Sequence, residues 1–149
     1  MLVGFSISKV ESVRHVPLEE LAKLRNVNVN YDINLRNPVV AKGPAGDVLR
    51  VDFTFSINYI NPSTGYIRFE GFCDRAGGDV GKVKAEWDAG RADPVIQNEI
   101  ANHMVTRVMP LAMLLSQSLN LPPAMPVPGI NFQKPAEFKP PDRFDQTYV

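Results

Sequence analysis

Alternating apolar and polar residues predict two long strands in the first half of the chain. Apolar side chains occupy every second position in residues 27–35, and the same alternation recurs in residues 48–60. A period of two places these side chains on one face of a strand, as in a sheet that is buried on one side. Residues 42–47 contain the glycine and proline of a turn, so the two strands are expected to pair antiparallel.

Two further strands complete the predicted sheet. A turn at 61–65 follows the second long strand, and residues 66–73 then continue the meander. Residues 5–14 form a weaker strand, whose apolar positions slip near Lys9 and so indicate a β-bulge. The polar residues that alternate with the apolar ones are expected to form the solvated face of the sheet.

Three helical segments are predicted around this sheet. Residues 17–24 begin with a proline and two glutamates, which favours a short helix before the second strand. Residues 79–89 form a short amphipathic helix, and Asp93 with Pro94 provides the N-cap and the first position of a long helix. The pattern therefore predicts an α+β fold, with a four-stranded antiparallel meander and one short and one long C-terminal helix.

The long helix has an apolar stripe that is expected to face the core. Its members recur every three or four residues: Ile96, Ile100, Met104, Val108, Leu111 and Leu115. Pro110 lies within this pattern and predicts a kink or a break, because proline removes a backbone hydrogen bond. Residues 111–115 are apolar on nearly every side of the helix. Since one sheet covers only one side, a second subunit is expected to cover the other.

Prolines crowd the C-terminal end of the chain. They occur at positions 122, 123, 126, 128, 135, 140 and 141, which excludes a helix or a central strand there. Residues 121–132 are apolar enough to pack as an extended strap, whereas residues 133–149 are typical of a flexible arm. We therefore expect a single domain at 1–132, followed by a proline-rich arm at 133–149.

Composition and charge exclude several classes of partner. The 149 residues include 16 basic and 16 acidic side chains and one cysteine. A neutral chain lacks the long-range field that attracts nucleic acids and anionic membranes. One cysteine cannot form an internal disulfide, which suits a reducing compartment. Neither a signal-peptide pattern nor about 20 consecutive apolar residues is present, so a cytoplasmic protein without membrane insertion is expected.

The chain has few residues that could carry catalysis. His15, His103 and Cys73 show none of the spacings typical of zinc ligands. The glycines at 77, 78 and 81 are not followed by the Lys-Ser/Thr of a phosphate-binding loop, so they predict a plain turn. We therefore expect no enzyme activity, no metal and no cofactor.

Several other side chains are interpreted as structural. Cys73 is expected to be a small buried apolar residue, and Met104 and Met113 are expected to pack in the core at helical spacing. Asp74 and Arg75 are predicted to form an exposed turn. Met125 lies in the proline-rich strap, where core packing does not explain it.

Three stretches near the C-terminus form a recognisable motif. Residues 109–112 read Met-Pro-Leu-Ala, residues 119–122 read Leu-Asn-Leu-Pro, and residues 126–132 read Pro-Val-Pro-Gly-Ile-Asn-Phe. This motif resembles the C-terminal region of the SecB export chaperones, in which a helix that begins near a Pro-aromatic-Ala step leads into an extended Leu-Asn-Leu-Ala-Pro-Val-Asn-Phe-like segment. With the strands included, the resemblance covers residues 5–132.

The resemblance implies an ATP-independent molecular chaperone associated with protein transport. A protein of this family forms a dimer or tetramer, and its apolar grooves hold extended, non-native polypeptides. By position, the residues that would line such a groove are Leu111, Leu114, Leu121, Met125, Val127 and Ile130. Extended peptides bind well in grooves of this kind, because backbone hydrogen bonds supply affinity with little demand on sequence.

Two alternatives to this hypothesis remain open at the level of sequence. One is a helix-grip carrier or enzyme, in which a curved sheet closes around the long helix and encloses a pocket for a small apolar ligand. The other is a scaffold subunit of a larger assembly. A ligand that co-purifies with a monomer would favour the first alternative, and a tight heteromeric partner would favour the second.

Overall fold

Four antiparallel strands form one sheet in the computed structural model, which describes residues 1–24, 27–60 and 63–122. The strands are β1 (Leu2–Arg14), β2 (Asn28–Gly43), β3 (Gly46–Ile60) and β4 (Gly65–Arg75), and they lie in the order β1-β4-β3-β2. Strands β2 to β4 form a meander, whereas β1 pairs with β4, so the chain crosses from one sheet edge to the other between β1 and β2. The predicted fold class is confirmed.

Irregular pairing marks both edge strands. β1 shifts register between Ile7 and Lys9, which confirms the predicted bulge. β2 continues past the predicted end at residue 35, and its register shifts between Arg36 and Val39. Pro38 lies in this shift. Proline has no N–H to donate to a neighbouring strand, and a sheet tolerates it at a bulge or in an edge strand, where that hydrogen bond is not needed. The preceding Asn37 has a left-handed backbone with φ 53°.

The core lies between one face of the sheet and the long helix. Phe55 at its centre stacks on Tyr31 and on Phe69, with ring centroids 6.3 and 6.4 Å apart. The core side chains of β3 and β4 are fully buried, and so are those of the helix that face them: Val51, Phe53, Phe55, Ile57, Tyr59, Ile67, Phe69, Cys73, Ile100, Met104 and Val108. The alternation in the sequence therefore predicts the buried face of these strands correctly.

The three helices are α1 (Leu18–Leu21), α2 (Val80–Asp88) and α3 (Pro94–Ser118). α1 is a single turn, shorter than the predicted segment 17–24. The carboxylate of Asp79 accepts from the Lys82 N–H at 3.1 Å to cap α2, and that of Asp93 accepts from the Val95 N–H at 2.9 Å to cap α3. Both caps agree with the sequence, because Asp is a preferred N-cap residue.

The long helix runs through Pro110 without a break. The expectation of a break is wrong because Pro110 lies on the exposed side of α3. The carbonyl that loses its hydrogen bond there belongs to Thr106, which is also exposed, so water can reach it. The cost of the proline is smaller at this place than it would be against the sheet.

The predicted exposed turn at Asp74 and Arg75 is also wrong. Both residues end β4 and form ion pairs with other elements. Arg50 donates to both carboxylate oxygens of Asp74 at 2.8 and 3.0 Å, and its guanidinium lies 4.2 Å from the Phe72 ring centroid. Arg75 donates to Glu99 of α3 at 2.9 Å, which ties the helix to the end of the sheet.

Replacement of Phe55 by alanine tests the core. We expect a loss of about 3–5 kcal/mol in the free energy of unfolding, because the substitution removes a stacked, fully buried ring and leaves a cavity. Urea titration followed by circular dichroism measures the loss. Val95→Ala is the control, since Val95 is 71% exposed, and it should change stability by less than about 0.5 kcal/mol. Equal effects of the two substitutions would contradict the assigned core.

Candidate functional site

An open apolar groove lies at one end of the molecule, with a volume of about 330 Å³. One wall comes from the connection between β1 and β2, and the other comes from the residues that follow α3. The lining consists of Leu18, Leu21, Ala22, Leu24, Val27, Asn120, Leu121 and Pro122. Among these described lining residues only Asn120 is polar and none is charged, so they offer mainly apolar contact. The volume is at the lower end of the range of about 300–1,000 Å³ that is typical of ligand pockets.

The first wall follows from the spacing of three leucines around α1. Leu18, Leu21 and Leu24 recur every third residue, so a single turn places their side chains on one side. The Leu21 N–H donates to the Pro17 carbonyl at 3.0 Å, and the Leu24 N–H donates to the Leu21 carbonyl at 3.2 Å. Leu21 and Leu24 are half-buried, whereas Leu18 is 49% exposed. The groove therefore has a leucine at its rim and two deeper in its wall.

The second wall is held by Arg14 at the end of β1. Its guanidinium donates to the Leu119 carbonyl at 2.8 Å and to the Val16 carbonyl at 3.1 Å. A cation at this position satisfies a free carbonyl at the C-terminus of α3 and interacts favourably with the helix dipole. The same side chain thus joins the residues that follow α3 to the chain that leads into α1.

The chain turns at Asn120 to bring Leu121 into the groove. Asn120 adopts a left-handed backbone with φ 55°, a conformation that asparagine tolerates better than most residues. The Leu121 N–H then donates to the Ser116 carbonyl at 2.9 Å, and the Leu121 side chain is 5% exposed. The Tyr59 hydroxyl donates to the Pro122 carbonyl at 2.9 Å. Burial raises the pKa of Tyr59 to about 12, so this donor keeps its proton at neutral pH.

A second apolar surface lies on the C-terminal half of α3. It consists of Pro110, Leu111, Met113 and Leu114, and we refer to it as the helix patch. Leu111, Met113 and Leu114 are 41%, 44% and 60% exposed. On the N-terminal half of the helix, the side chains away from the core are mostly polar. The helix therefore changes character along its outward side, from solvated to apolar.

Two predicted positions on α3 are wrong. Met113 was expected in the core, and Leu111 was expected in the stripe that faces it, but both side chains belong to the exposed helix patch. The buried side of α3 near its C-terminus is formed instead by Met109, Ala112 and Ser116. Met104 is fully buried, as predicted. Small residues at 112 and 116 mark the buried side, and a stripe chosen by hydrophobicity alone overlooks them.

The six residues proposed from sequence to line a groove lie in different places. Leu121 lines the groove, whereas Leu111 and Leu114 belong to the helix patch. Met125, Val127 and Ile130 lie outside the described residues. The other wall, with the leucines at 18, 21 and 24 and Val27, is not predicted from sequence. The repeat of leucine at every third residue is the signal that could have indicated it.

The histidines considered for catalysis pack against aromatic rings. His15 lies tilted against Tyr66 with ring centroids 5.7 Å apart, and His103 packs edge-on against Phe5 at 6.4 Å. Cys73 is buried, as predicted. Within residues 1–24, 27–60 and 63–122, no group of three His, Cys, Asp or Glu side chains could hold a metal ion. None of the described helices is long and apolar enough to cross a membrane.

Comparison with known proteins gives a likeness in structure. No family model matches the chain, and no curated protein matches it. The chain is similar to a solved SecB-like chaperone. That neighbour is the Mycobacterium tuberculosis Rv1957 SecB-like chaperone, solved in complex with a ChAD peptide from the Rv1956 HigA1 antitoxin. The likeness covers 88% of this chain and 87% of that chain, at 16% sequence identity and a TM-score of 0.46.

The buried thiol of Cys73 leads to a prediction on alkaline stability. Burial raises its pKa from 9.0 to about 12, so the folded state favours the neutral thiol more strongly than the unfolded state does. This contribution to stability is complete below pH 9, and it is lost as the pH rises towards 12. Its loss follows a slope of up to about 1.4 kcal/mol per pH unit.

Urea titrations at intervals between pH 8 and pH 11 measure this effect. The Cys73→Ala variant should lose stability less steeply than the parent chain above pH 9, although Tyr59 titrates in both proteins. At pH 8, the native thiol should react slowly with a disulfide reagent and react fully in urea. Identical pH slopes in the two proteins, or a fast native reaction, would contradict the burial of Cys73.

Proposed function

We propose that this protein is an ATP-independent, cytoplasmic chaperone that binds extended, non-native polypeptides. The observation that supports this proposal most directly is the open groove, which is lined by leucine, alanine, valine and proline side chains and by a single polar residue. A groove without fixed charges or directional donors favours apolar side chains in general rather than one sequence, because hydrophobic burial is not directional. Such low selectivity is what a binder of unfolded chains needs.

The edge of the sheet beside the groove supplies a second mode of contact. Val27 lines the groove, and the edge strand β2 begins at the next residue. An edge strand presents backbone N–H and C=O groups outward, and an extended peptide can add to such an edge as a further strand. The core-side residues Val29, Ile33 and Leu35 are only partly buried, so alternate side chains of the peptide would find apolar contacts there.

The helix-grip alternative is less well supported. It requires a sheet that closes around the long helix and encloses a cavity. In the described part of the chain, the sheet has four strands, and α3 lies on its open face with the helix patch exposed. The groove is open and lies at the end of the sheet, beyond the residues that pack beneath α3.

We further propose that the chaperone is a homo-oligomer assembled through the helix patch. A helix in a two-layer fold normally presents polar side chains to solvent on its outward side. α3 does so in its first half but not in its second, where Leu114 is 60% exposed. Contiguous exposed apolar side chains mark interaction surfaces. A second copy with the same patch would bury these side chains reciprocally.

Substitution of Leu18 by aspartate tests the groove. The side chain is 49% exposed and begins α1, where a carboxylate is compatible with the helix N-terminus, so the fold should persist. Burial of a leucine in a complex contributes about 1.5–3 kcal/mol, so we expect affinity for a peptide to fall by about tenfold or more. Fluorescence anisotropy with a labelled, uncharged, Leu- and Phe-rich 20-residue peptide measures the change.

The control for this experiment introduces the same charge elsewhere. Val95 is 71% exposed and lies outside the groove, so Val95→Asp should leave the affinity for the peptide unchanged. The parent protein should also delay aggregation of an unfolding client at a stoichiometric ratio, and Leu18→Asp should weaken this delay. A parent protein that neither binds the peptide nor delays aggregation would refute the proposed function.

Substitution of Leu114 by aspartate tests the proposed assembly. Leu114 makes no contribution to the core of the single chain, so the variant should keep its circular dichroism spectrum and its urea midpoint. A charge buried in a subunit interface is costly, so we expect dissociation to monomers in sedimentation velocity. The control is Val95→Asp, because Val95 is 71% exposed and lies near the opposite end of α3 from the helix patch. A parent chain that already sediments as a monomer would contradict the proposed assembly.

A further inference from the structure

The chain leaves the described structure at the wall of the groove. Leu121 and Pro122 line the groove, and Pro122 is held there by the hydroxyl of Tyr59 at 2.9 Å. Arg14 fixes the preceding turn through the Leu119 carbonyl at 2.8 Å. The described chain therefore ends at the groove, at a position held by these hydrogen bonds.

We propose that residues 123–132 bind in the groove of their own chain and compete there with client polypeptides. The competition rests on the proposed function, whereas the contact within the chain does not. The occupant is thus the segment that directly follows the groove wall, rather than a small ligand or a second copy of the chain.

The sequence of this segment matches the chemistry of the groove. Residues 123–132 read Pro-Ala-Met-Pro-Val-Pro-Gly-Ile-Asn-Phe and include no charged side chain. Residues 133–149, by contrast, include Lys134, Glu137, Lys139, Asp142, Arg143 and Asp145. None of the groove's described lining residues is charged either, so the uncharged segment can contact them without desolvating an ion. The apolar side chains that would enter are those of Met125, Val127 and Ile130.

Two general arguments favour binding within one chain. Prolines at 123, 126 and 128 restrict the backbone to extended conformations even before binding, so less conformational entropy is lost when the segment enters a groove. A short tether also gives the segment an effective concentration of the order of millimolar at the groove. A weak intrinsic contact is therefore enough to occupy the site, and a client must displace it.

Disulfide trapping tests the contact without any client. Leu18→Cys places a thiol in the groove, Glu19→Cys places one on the neighbouring exposed residue, and each is combined with Val127→Cys in the full chain. The native Cys73 is buried and stays out of the exchange. The two cysteine pairs are joined by nearly the same length of chain. If residues 123–132 do not enter the groove, the two disulfides should therefore form at similar rates.

We expect the pair with Leu18→Cys to form its intramolecular disulfide at least about tenfold faster than the pair with Glu19→Cys. Non-reducing gels and mass spectrometry distinguish closure within a chain from links between chains. Equal rates would overturn the proposal. So would disulfides that form mainly between chains, which would assign the groove to a second copy.

Peptide affinity tests the competition separately. The triple variant Met125→Ser, Val127→Ser and Ile130→Ser should bind the labelled peptide about tenfold more tightly than the parent chain. The control Phe138→Ser with Phe144→Ser, in the following segment, should not. Weaker binding by the triple variant would overturn the proposal, because the segment would then help to hold the client. Selective trapping in a chain that binds no peptide would instead refute the proposed function and leave the contact within the chain intact.

Discussion

The structure depends on the cover that one long helix gives to one face of a four-stranded sheet. The aromatic and aliphatic residues of β3 and β4 leave water because the helices lie across them, with Ile100, Met104 and Val108 of α3 fully buried and Val80 of α2 in the same core. A sheet with a single apolar face needs such a second layer. The opposite face, with its alternating asparagines and acids, stays solvated. Among the described residues, α3 has only one partner layer, so none of them covers its outward side at the helix patch.

The same helix also determines where the groove forms. Its C-terminal carbonyls require donors, and Arg14 at the end of β1 supplies one of them. This bond draws the end of α3 towards the connection that carries α1, and Tyr59 holds the chain that follows. The groove is therefore a consequence of how the helix terminus is satisfied, since its two walls belong to segments that Arg14 joins. Its position is set by hydrogen bonds, and leucines make up much of its described lining.

The sequence predicts those parts of the fold that depend on local pattern. Strict alternation identifies the buried face of β3, and the aspartate cap at Asp93 identifies the start of α3, because both signals act over a few residues. The exposure of Pro110 and the ion pairs of Asp74 and Arg75 depend on which element lies opposite, and no local pattern contains that information. The groove was only partly foreseen, through Leu121. Its other wall depends on the crossover from β1 to β2, which brings distant residues together.

The single turn of α1 gives the groove one wall that can adapt. A helix of four residues is far below the length that is stable by itself, so α1 keeps its shape only through Leu21 and Leu24, which are half-buried. The opposite wall is fixed by Arg14 and Tyr59 to the end of α3 and to the sheet. A groove with one firm wall and one weakly held wall can accept apolar side chains of different sizes, because α1 can shift without disturbing the core. This asymmetry explains how a site of about 330 Å³ could serve polypeptides that share apolar character but no common sequence.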